Sequence, residues 1–477
     1  MILLLRLFST FKTSASPQLA SLHPFPEHEP HKWLSGKLLT RQEIPLLDEE
    51  LQSYITAGYV ESVTSIEKRR SMFTCTRCGN DKRHLFATMP HAACGKLCVY
   101  CRNCIMMGRV IECEPLFRGS PQYPWPVVEN PCAWGGELTV DQQQAADEIV
   151  SAIDHGQNEL LIWAVCGAGK TEMLFPGLTA ALKAGKRICL ATPRTDVVRE
   201  LTPRLKQAFP DVTIQALYGD SEEKTADAQL LLATTHQLYR FAYAFDVMII
   251  DEIDAFPYHN DRSLQFASKR AAKLQASFIY LTATPRLKEK KRIKQKQLPA
   301  VFIAKRFHGH PLPVPKLKLS PWLRKELANR RLPKSILQTV QSQQLGSRQL
   351  LLFTSTIEYA QLVTDILQPF YPDITSVHAE DPEREEKVRA FRNQEHTILV
   401  TTTILERGVT FPSVDVYVLD AGHVVFDEAA LVQIAGRAGR SQHDPTGDVL
   451  FFHIGKTNAM LHAQEAILRM NKRGKCQ

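Results

Sequence analysis

Short apolar runs alternate with stretches of helical spacing from residue 138 onward. We predict strands over the apolar runs at 160–165, 187–191, 212–216, 228–233, 247–250 and 277–281. A second alternating block begins near residue 349, with strands predicted at 350–353, 374–378, 397–401 and 414–419. Such alternation is typical of parallel sheets covered by helices on both faces. The pattern therefore predicts an α/β protein with two parallel sheets.

The length of 477 residues indicates about three domains. Prolines crowd the chain around Trp125 and again at 311–315, which marks two junctions. We divide the chain into an N-terminal segment (1–67), a small cysteine-rich domain (68–115) and two larger domains (116–305 and 306–477). The first segment carries a predicted helix over 46–57 and no assigned chemistry. We expect no signal peptide at the first eight residues, and no apolar run is long enough to span a membrane.

The first strand of the alternating block runs into a loop that contains Gly167, Ala168, Gly169, Lys170 and Thr171. Glycines let the backbone N–H groups turn toward an anion, lysine neutralises phosphate charge, and the threonine hydroxyl can bind Mg²⁺. A helix is predicted over 172–184. The order of strand, turn and helix predicts a phosphate-binding loop for ATP.

An acidic pair, Asp251 and Glu252, follows the fully apolar strand at 247–250. Ligands of parallel sheets bind at the carboxyl ends of the strands, so this pair is expected beside the phosphate loop. We assign Asp251 to Mg²⁺ and Glu252 to the polarisation of the attacking water.

Four polar residues that follow strands are predicted to contact nucleic acid: Arg194, Thr235, Thr284 and Thr402. Small hydroxyl groups and arginine can bind phosphates and sugars without reading bases. A basic run at 288–296 is predicted to form a surface helix, which either extends this track or is merely solvated.

The second block has no phosphate loop of its own, but it carries Arg437 and Arg440. Three positions apart on a helix, the two arginines would share a face and could reach the γ-phosphate of a nucleotide held by the first block. The flanking glycines indicate close approach of another part of the chain.

Six of the eleven cysteines fall between Cys75 and Cys104. Two C-x2-C pairs about twenty residues apart are typical of a tetrahedral Zn²⁺ site, so Cys75, Cys78, Cys101 and Cys104 are the predicted ligands. Cys98 remains an alternative ligand because Cys98 and Cys101 have the same spacing. This clustering indicates a metal in a reducing compartment and not a disulfide scaffold.

The overall composition adds one further indication. Hydrophobic residues make up 44% of the chain and charged residues 23%, which is ordinary for a soluble globular protein. The net charge of +8 favours a polyanionic partner without requiring one.

In order and spacing, these segments resemble the superfamily 2 helicases and translocases. The strings at 101–110, 162–176 and 251–257 more closely resemble ComFA, the late-competence DNA-uptake ATPases of Gram-positive bacteria, although Ile253 departs from the DEAD-box string. The resemblance implies two tandem RecA-like domains that close on ATP and Mg²⁺, with Gln142 and Gly408 also at the nucleotide. It further implies single-stranded DNA, a phosphoribosyltransferase-like competence protein and a membrane DNA channel as partners, at the cytoplasmic face of the membrane.

Three functions remain open. The first is an ATP-driven single-stranded DNA translocase or helicase that works in DNA uptake. The second is a primosomal-type DNA helicase or an RNA helicase with the same two-domain engine. The third is a zinc module that binds nucleic acid beside a degenerate ATPase, which the presence of Lys170, Thr171, Asp251, Glu252 and Arg440 disfavours.

Overall fold

The computed structural model describes residues 30–70, 72–120, 123–156, 159–219, 221 and 227–476. The first twenty-nine residues of the predicted N-terminal segment, including the stretch considered as a signal peptide, lie outside the described residues. The described chain forms an N-terminal unit of short antiparallel strands and two parallel sheets. None of the described helices combines the length and apolar character needed to cross a bilayer.

The N-terminal unit joins the first segment and the cysteine-rich segment in one folded body. Its elements are α1 (Pro30–Leu34), β1 (Leu38–Leu39), α2 (Asp48–Thr56), β2 (Val60–Val63), β3 (Ile66–Arg69), β4 (Met72–Cys75), β5 (Phe86–His91), β6 (Lys96–Cys101), β7 (Val110–Ile111) and β8 (Leu116–Gly119). Strand β8 pairs with β1 and β2, β3 pairs with β4, and β6 lies between β5 and β7. The predicted boundary at 67/68 therefore cuts through β3, and the boundary at 115/116 separates β8 from its partners.

A buried arginine attaches this unit to the first parallel sheet. Arg77 has no exposed surface; its Nη2 lies 2.8 Å from Glu43 Oε2, and its Nε donates to the Tyr239 carbonyl at 3.2 Å. Asn103 Nδ2 also donates to Ser263 Oγ at 2.9 Å. Because a buried charge is tolerated only when it is paired and hydrogen-bonded, these contacts fix the unit against the sheet.

The first parallel sheet has seven strands in the order β11-β12-β10-β13-β14-β9-β15. Its elements are α3 (Val140–Asp154), β9 (Glu159–Ala164), α4 (Phe175–Lys183), β10 (Ile188–Thr192), α5 (Thr195–Ala208), β11 (Ile214–Leu217), β12 (Leu230–Thr234), β13 (Phe245–Ile250), α6 (Arg262–Ala271), β14 (Ala272–Thr282), α7 (Leu287–Lys294) and β15 (Ala300–Ile303). All six predicted strands are present, and α7 is the predicted basic helix. Strand β15, which was not predicted, pairs with β9 at the edge of the sheet.

The second parallel sheet has six strands in the order β16-β21-β20-β17-β19-β18. Its elements are β16 (Lys316–Leu319), α8 (Leu323–Ala328), α9 (Lys334–Gln344), β17 (Gln349–Phe353), α10 (Ile357–Leu367), β18 (Thr375–Val377), α11 (Arg384–Arg392), β19 (Ile398–Thr401), β20 (Val414–Val418), α12 (Glu428–Ala435), β21 (Val449–His453) and α13 (Asn458–Cys476). The four predicted strands are present, whereas β16 and β21 were not predicted. Central strands of both sheets are buried throughout, as expected of parallel strands covered on both faces.

Candidate active site and metal centre

A cleft of about 540 Å³ lies between the two parallel sheets. The first sheet lines it with the loop that follows β9 and with the residues that follow β13. The second sheet lines it with Gly408 and the other residues beyond β19, and with the turn beyond α12. Both sheets thus present strand ends to one cavity, as expected for ligand sites of parallel sheets.

The predicted phosphate loop forms a tight turn that α3 holds from one side. Gly167 and Gly169 have φ angles of +77° and +72°, which side chains strongly disfavour. Gln142 Nε2 donates to the Ala168 carbonyl at 2.9 Å, and Gln142 Oε1 accepts from the Thr139 N–H at 2.8 Å. A Cβ on Gly169 would lie 2.3 Å from Gln142 Nε2 and would displace that side chain, which adds to the strain that the positive φ imposes on any other residue here. The loop is followed by a 3₁₀ turn before α4 begins at Phe175.

The acidic pair stands where β13 ends. Asp251 Oδ1 accepts from the Glu252 N–H at 2.8 Å, and burial raises the Asp251 pKa to about 6 even though Lys170 opposes the shift. Glu252 has a φ of +53°, an unusual conformation for a side-chain-bearing residue. Its Oε2 is buried and accepts no hydrogen bond among the described residues, although it forms a long ion pair with Arg407 Nη1 at 3.8 Å. A buried carboxylate oxygen that accepts no hydrogen bond and lies in a cleft is typical of a functional group.

The two predicted arginines reach the cleft, but they do so from a turn and not from a helix. Helix α12 ends at Ala435, and Gly439 takes a φ of +64°. Arg437 Nε donates to the Glu406 carbonyl at 3.0 Å, while its Nη2 is buried with no partner in the described part of the chain. Burial, with Arg440 nearby, lowers the Arg437 pKa to about 9. Both arginines line the same cleft as Lys170.

The glycine before this turn permits contact between the two sheets. A Cβ on Gly436 would lie 2.5 Å from the Cβ of Cys166 in the phosphate loop. Cys166 Sγ also donates to Gln433 Oε1 at 3.0 Å. The expected close approach at the flanking glycine is therefore an approach of the second sheet to the phosphate loop itself.

A buried ion pair also joins the sheets. Asp254 accepts hydrogen bonds of 2.5 Å from the hydroxyls of Thr282 and Thr284, and its Oδ2 lies 2.5 Å from Arg407 Nη2. Burial alone raises the pKa of Asp254, but Arg407 and the two hydroxyls outweigh it and hold that pKa well below its usual range. Sequence reasoning assigned no role to Asp254 or Arg407, although both lie beside motif residues.

The four residues predicted to contact nucleic acid are not equally accessible. Arg194 and Thr402 line a shallow cavity of about 350 Å³ that runs across both sheets, together with the exposed ring of Phe256. Thr235 has no exposed surface, and the Thr284 hydroxyl donates to Asp254. The structure therefore does not bring the Thr235 and Thr284 side chains to this surface, because Thr235 is fully buried and the Thr284 hydroxyl is bonded to Asp254.

The predicted zinc ligands converge in the N-terminal unit. The Sγ atoms of Cys75, Cys78, Cys101 and Cys104 all lie within 4.8 Å of one another, and all four side chains are buried. Cys75 and Cys104 are 3.7 Å apart and Cys78 and Cys101 are 3.6 Å apart, close to the ~3.8 Å edge of a tetrahedron with Zn–S bonds of ~2.3 Å. These residues fit Zn²⁺.

Strand geometry separates Cys98 from this shell. Cys98 and Cys101 lie on β6, three positions apart, so their side chains point to opposite faces of the sheet. Cys98 is therefore not an alternative ligand for the site formed by Cys75, Cys78, Cys101 and Cys104. It belongs to a different group of side chains.

Three family models match successive parts of the chain. They are the competence protein ComFA N-terminal domain at residues 25–118, the res subunit of type III restriction enzymes at 136–287 and the helicase conserved C-terminal domain at 331–442. Over 441 residues the chain is 43% identical to competence protein ComFA of Bacillus subtilis (strain 168), covering 92% of this chain and 94% of that protein. It is 39% identical over 440 residues to ComFA of Streptococcus pneumoniae (strain ATCC BAA-255 / R6), covering 92% and 97%.

Among solved structures, S. cerevisiae Dbp5 bound to RNA and ADP BeF3 matches with a TM-score of 0.53 at 15% identity. The match covers 70% of this chain and 91% of Dbp5. At this identity the likeness concerns the fold, and it agrees with two RecA-like domains.

Proposed function

The chain belongs to the ComFA family of competence proteins, and from this premise we propose that it is an ATP-driven motor that moves single-stranded DNA during uptake of transforming DNA. The observation that carries the proposal is the cleft between the two sheets, where Lys170 and the acidic pair face Arg437 and Arg440. A phosphate loop on one side and arginines on the other is the arrangement that phosphoryl transfer uses.

Each side of the cleft has a distinct task in this proposal. The backbone N–H groups of the loop and Lys170 bind the phosphates of ATP, and Thr171 and Asp251 hold Mg²⁺. Mg²⁺, when bound, neutralises charge on the phosphate oxygens. Glu252 orients the attacking water, and its Oε2, which accepts no hydrogen bond among the described residues, is available for that task. The donor set fits the ion, since hydroxyl and carboxylate oxygens are the ligands that Mg²⁺ prefers.

Arg437 and Arg440 stabilise the charge that develops on the transferred phosphoryl group. The buried, unpartnered Nη2 of Arg437 supports this role, because a free guanidinium donor in a cleft is costly unless an anion binds it. Gln142 and Gly408 line the same cleft and are proposed to help position the nucleotide.

The shallow cavity around Arg194 and Thr402 is the proposed DNA track. Phe256 lies there with 71% of its surface exposed, which is unusual for a large apolar side chain. An aromatic ring can stack on any base, and arginine and threonine can bind phosphates, so the track would hold a strand without reading it. Phe256 was not singled out from the sequence, although it lies within a string that resembles the family.

Movement would follow from the same interface. The cavity is lined from both sheets, and the Asp254–Arg407 pair links the segment after β13 with the segment after β19. A change in the distance between the sheets during the ATP cycle would therefore change the grip on the strand. The proposal also includes the partners expected from the family, a phosphoribosyltransferase-like competence protein and a membrane DNA channel. With these partners, we propose that the protein works at the cytoplasmic face of the membrane.

The test compares the rate of ATP hydrolysis with single-stranded DNA, duplex DNA and RNA of mixed sequence at one moderate salt concentration. We expect single-stranded DNA to accelerate hydrolysis most, with Lys170→Ala as the inactive control. Equal stimulation by RNA would favour the RNA helicase, stimulation by duplex ends and measurable unwinding would favour the primosomal-type helicase, and no stimulation would favour the degenerate ATPase.

A further inference from the structure

A second group of potential ligands lies on the face of β6 opposite the first metal centre. It consists of His91 at the end of β5, Cys94 in the hairpin turn, Cys98 on β6 and Cys113 shortly after β7. One atom from each side chain, the Sγ or a ring nitrogen, lies within 4.8 Å of the other three. The chain therefore brings together three sulfurs and one imidazole from three separate segments.

The distances within the group suit a tetrahedral ion. The Sγ atoms of Cys94 and Cys98 are 3.3 Å apart, and Cys113 Sγ is 3.3 Å from His91 Nδ1. A tetrahedron with Zn–S bonds of ~2.3 Å and a Zn–N bond of ~2.0 Å has edges of ~3.5–3.8 Å, so only small shifts are needed.

The imidazole of His91 is already oriented for metal binding. Its Nε2 lies 3.2 Å from Glu114 Oε1, which leaves Nδ1 directed toward Cys113. A carboxylate behind a metal-bound histidine fixes the tautomer and raises the basicity of the ligand nitrogen. Glu114 thus gives the group the outer contact that metal-bound histidines usually have.

The backbone holds the three segments in place independently of the side chains. Gly95 has a φ of +65° and closes the hairpin turn, where its N–H donates a hydrogen bond of 2.9 Å to the His91 carbonyl. Beyond β7, the Glu112 N–H donates to the Val99 carbonyl at 2.8 Å and fixes the start of the segment that carries Cys113. The ligands therefore converge on a preformed scaffold.

We infer that His91, Cys94, Cys98 and Cys113 bind a second Zn²⁺. Three thiolates and one imidazole form one of the usual structural zinc shells, and each thiol releases its proton to solvent on binding. The two ions would then flank the β5–β6–β7 sheet, one on each face, and stabilise a unit too small to bury a large core.

The first measurement is the zinc content of the full-length wild-type chain, purified with a thiol reductant and freed of loosely bound metal. We expect about two zinc ions per chain by elemental analysis. Substitution with Co²⁺ provides a second readout that does not depend on any variant, because both sites should give intense tetrahedral cobalt absorption with sulfur charge-transfer bands.

Variants separate the two ions. Cys98→Ser should lose one zinc and keep the other, and Cys75→Ser should lose the zinc of the first shell. Cys132→Ser, at a cysteine outside both groups, is the matched control and should keep both ions. Glu114→Gln should keep the fold and weaken zinc retention against a chelator by ~10-fold or more at one site only.

Two results would overturn the inference. One is a zinc content of about one ion per wild-type chain, together with the same content in Cys98→Ser and in Cys94→Ser. The other is a Cys94–Cys98 disulfide in the zinc-loaded chain under the same reducing conditions. Mass spectrometry would detect it as a mass lower by two hydrogens, and a disulfide would leave no thiolates at these two positions for the metal.

Discussion

The two parallel sheets have the same strand order along the chain, apart from the edge strand β15, but the residues at their strand ends differ in chemistry. The first sheet presents the phosphate loop with Lys170 and the acidic pair, and the second presents Arg407, Arg437 and Arg440. Neither edge has the full set of groups that phosphoryl transfer requires. The difference teaches that the proposed activity belongs to the interface, so a variant on either side is expected to impair it by a different route.

The largest effect is expected from the second sheet. Arg440→Ala should lower the DNA-stimulated rate of ATP hydrolysis by ~10³-fold, since an arginine at the transferred phosphoryl group commonly contributes that much. Nucleotide binding, measured by fluorescence, should change far less. Arg331→Ala, at an exposed arginine elsewhere in the second sheet's domain, is the control. A wild-type rate in Arg440→Ala would remove this residue from the site.

The matching change in the first sheet is Glu252→Gln. It keeps the size of the side chain but removes the charge that orients the water, so the hydrolysis rate should fall by ~10²-fold or more. ATP should still bind, and single-turnover measurements should locate the loss in the chemical step. If binding and hydrolysis fell together, Glu252 would instead be a binding residue.

The link between the sheets can be measured with a double-mutant cycle on Asp254 and Arg407. Removal of the Asp254 charge leaves the buried Arg407 with only its longer ion pairs, to Glu406 at 3.3 Å and Glu252 at 3.8 Å, so Asp254→Asn should destabilise the fold by ~2 kcal/mol. The double variant Asp254→Asn with Arg407→Met should recover part of that loss. The midpoint of urea unfolding followed by fluorescence provides the comparison. Additive losses would show that the two side chains are not coupled.

A smaller effect is expected at the shallow cavity. Phe256→Ala should weaken binding of single-stranded DNA by ~1–3 kcal/mol, the usual value of one stacked base, with little change in basal hydrolysis. Phe370→Ala, at another exposed phenylalanine, serves as the matched control. Unchanged affinity, measured by fluorescence anisotropy, would place the strand elsewhere.

The smallest effect concerns pH. Asp254 has a folded-state pKa below that of an unfolded aspartate, so its contribution to stability is complete above about pH 4 and declines as the pH falls further. Below pH 4, the difference in melting temperature between the wild type and Asp254→Asn should therefore narrow. A difference that stays constant down to pH 3 would contradict the paired state of this carboxyl.

Hydrophobic pattern and strand-end chemistry were enough to predict ten of the thirteen strands in the two parallel sheets, and the loop after β9, but not β15, β16 or β21. Strand β15 was not predicted, because its short apolar run lies in a basic, proline-rich stretch where local composition hides pairing with β9. The helix expected around Arg437 is a turn. Helix α12 ends before Gly436, and the backbone there packs closely against Cys166 and, at Gly439, against Pro445. The glycines indicated that another part of the chain comes close, but the sequence pattern could not identify Cys166 as the partner of Gly436.

The cysteines illustrate the same limit from another direction. The spacing of the first four was enough to predict one centre, whose occupancy is still a prediction. His91 and Cys113 belong to no C-x2-C pair, so only the pairing of β5, β6 and β7 reveals that they lie together. Strand alternation separates Cys98 from Cys101 once both are known to lie on β6, a strand that was not predicted from the sequence.

The Asp254–Arg407 pair has a consequence for the role of water. Asp254 is 1% exposed and Arg407 is 2% exposed while the sheets are in contact. If the sheets move apart as proposed, both charges would gain a hydration shell, so each opening step would take up water molecules from the solvent. Osmolytes that lower water activity should therefore favour contact between the two sheets and slow any step in which the sheets separate.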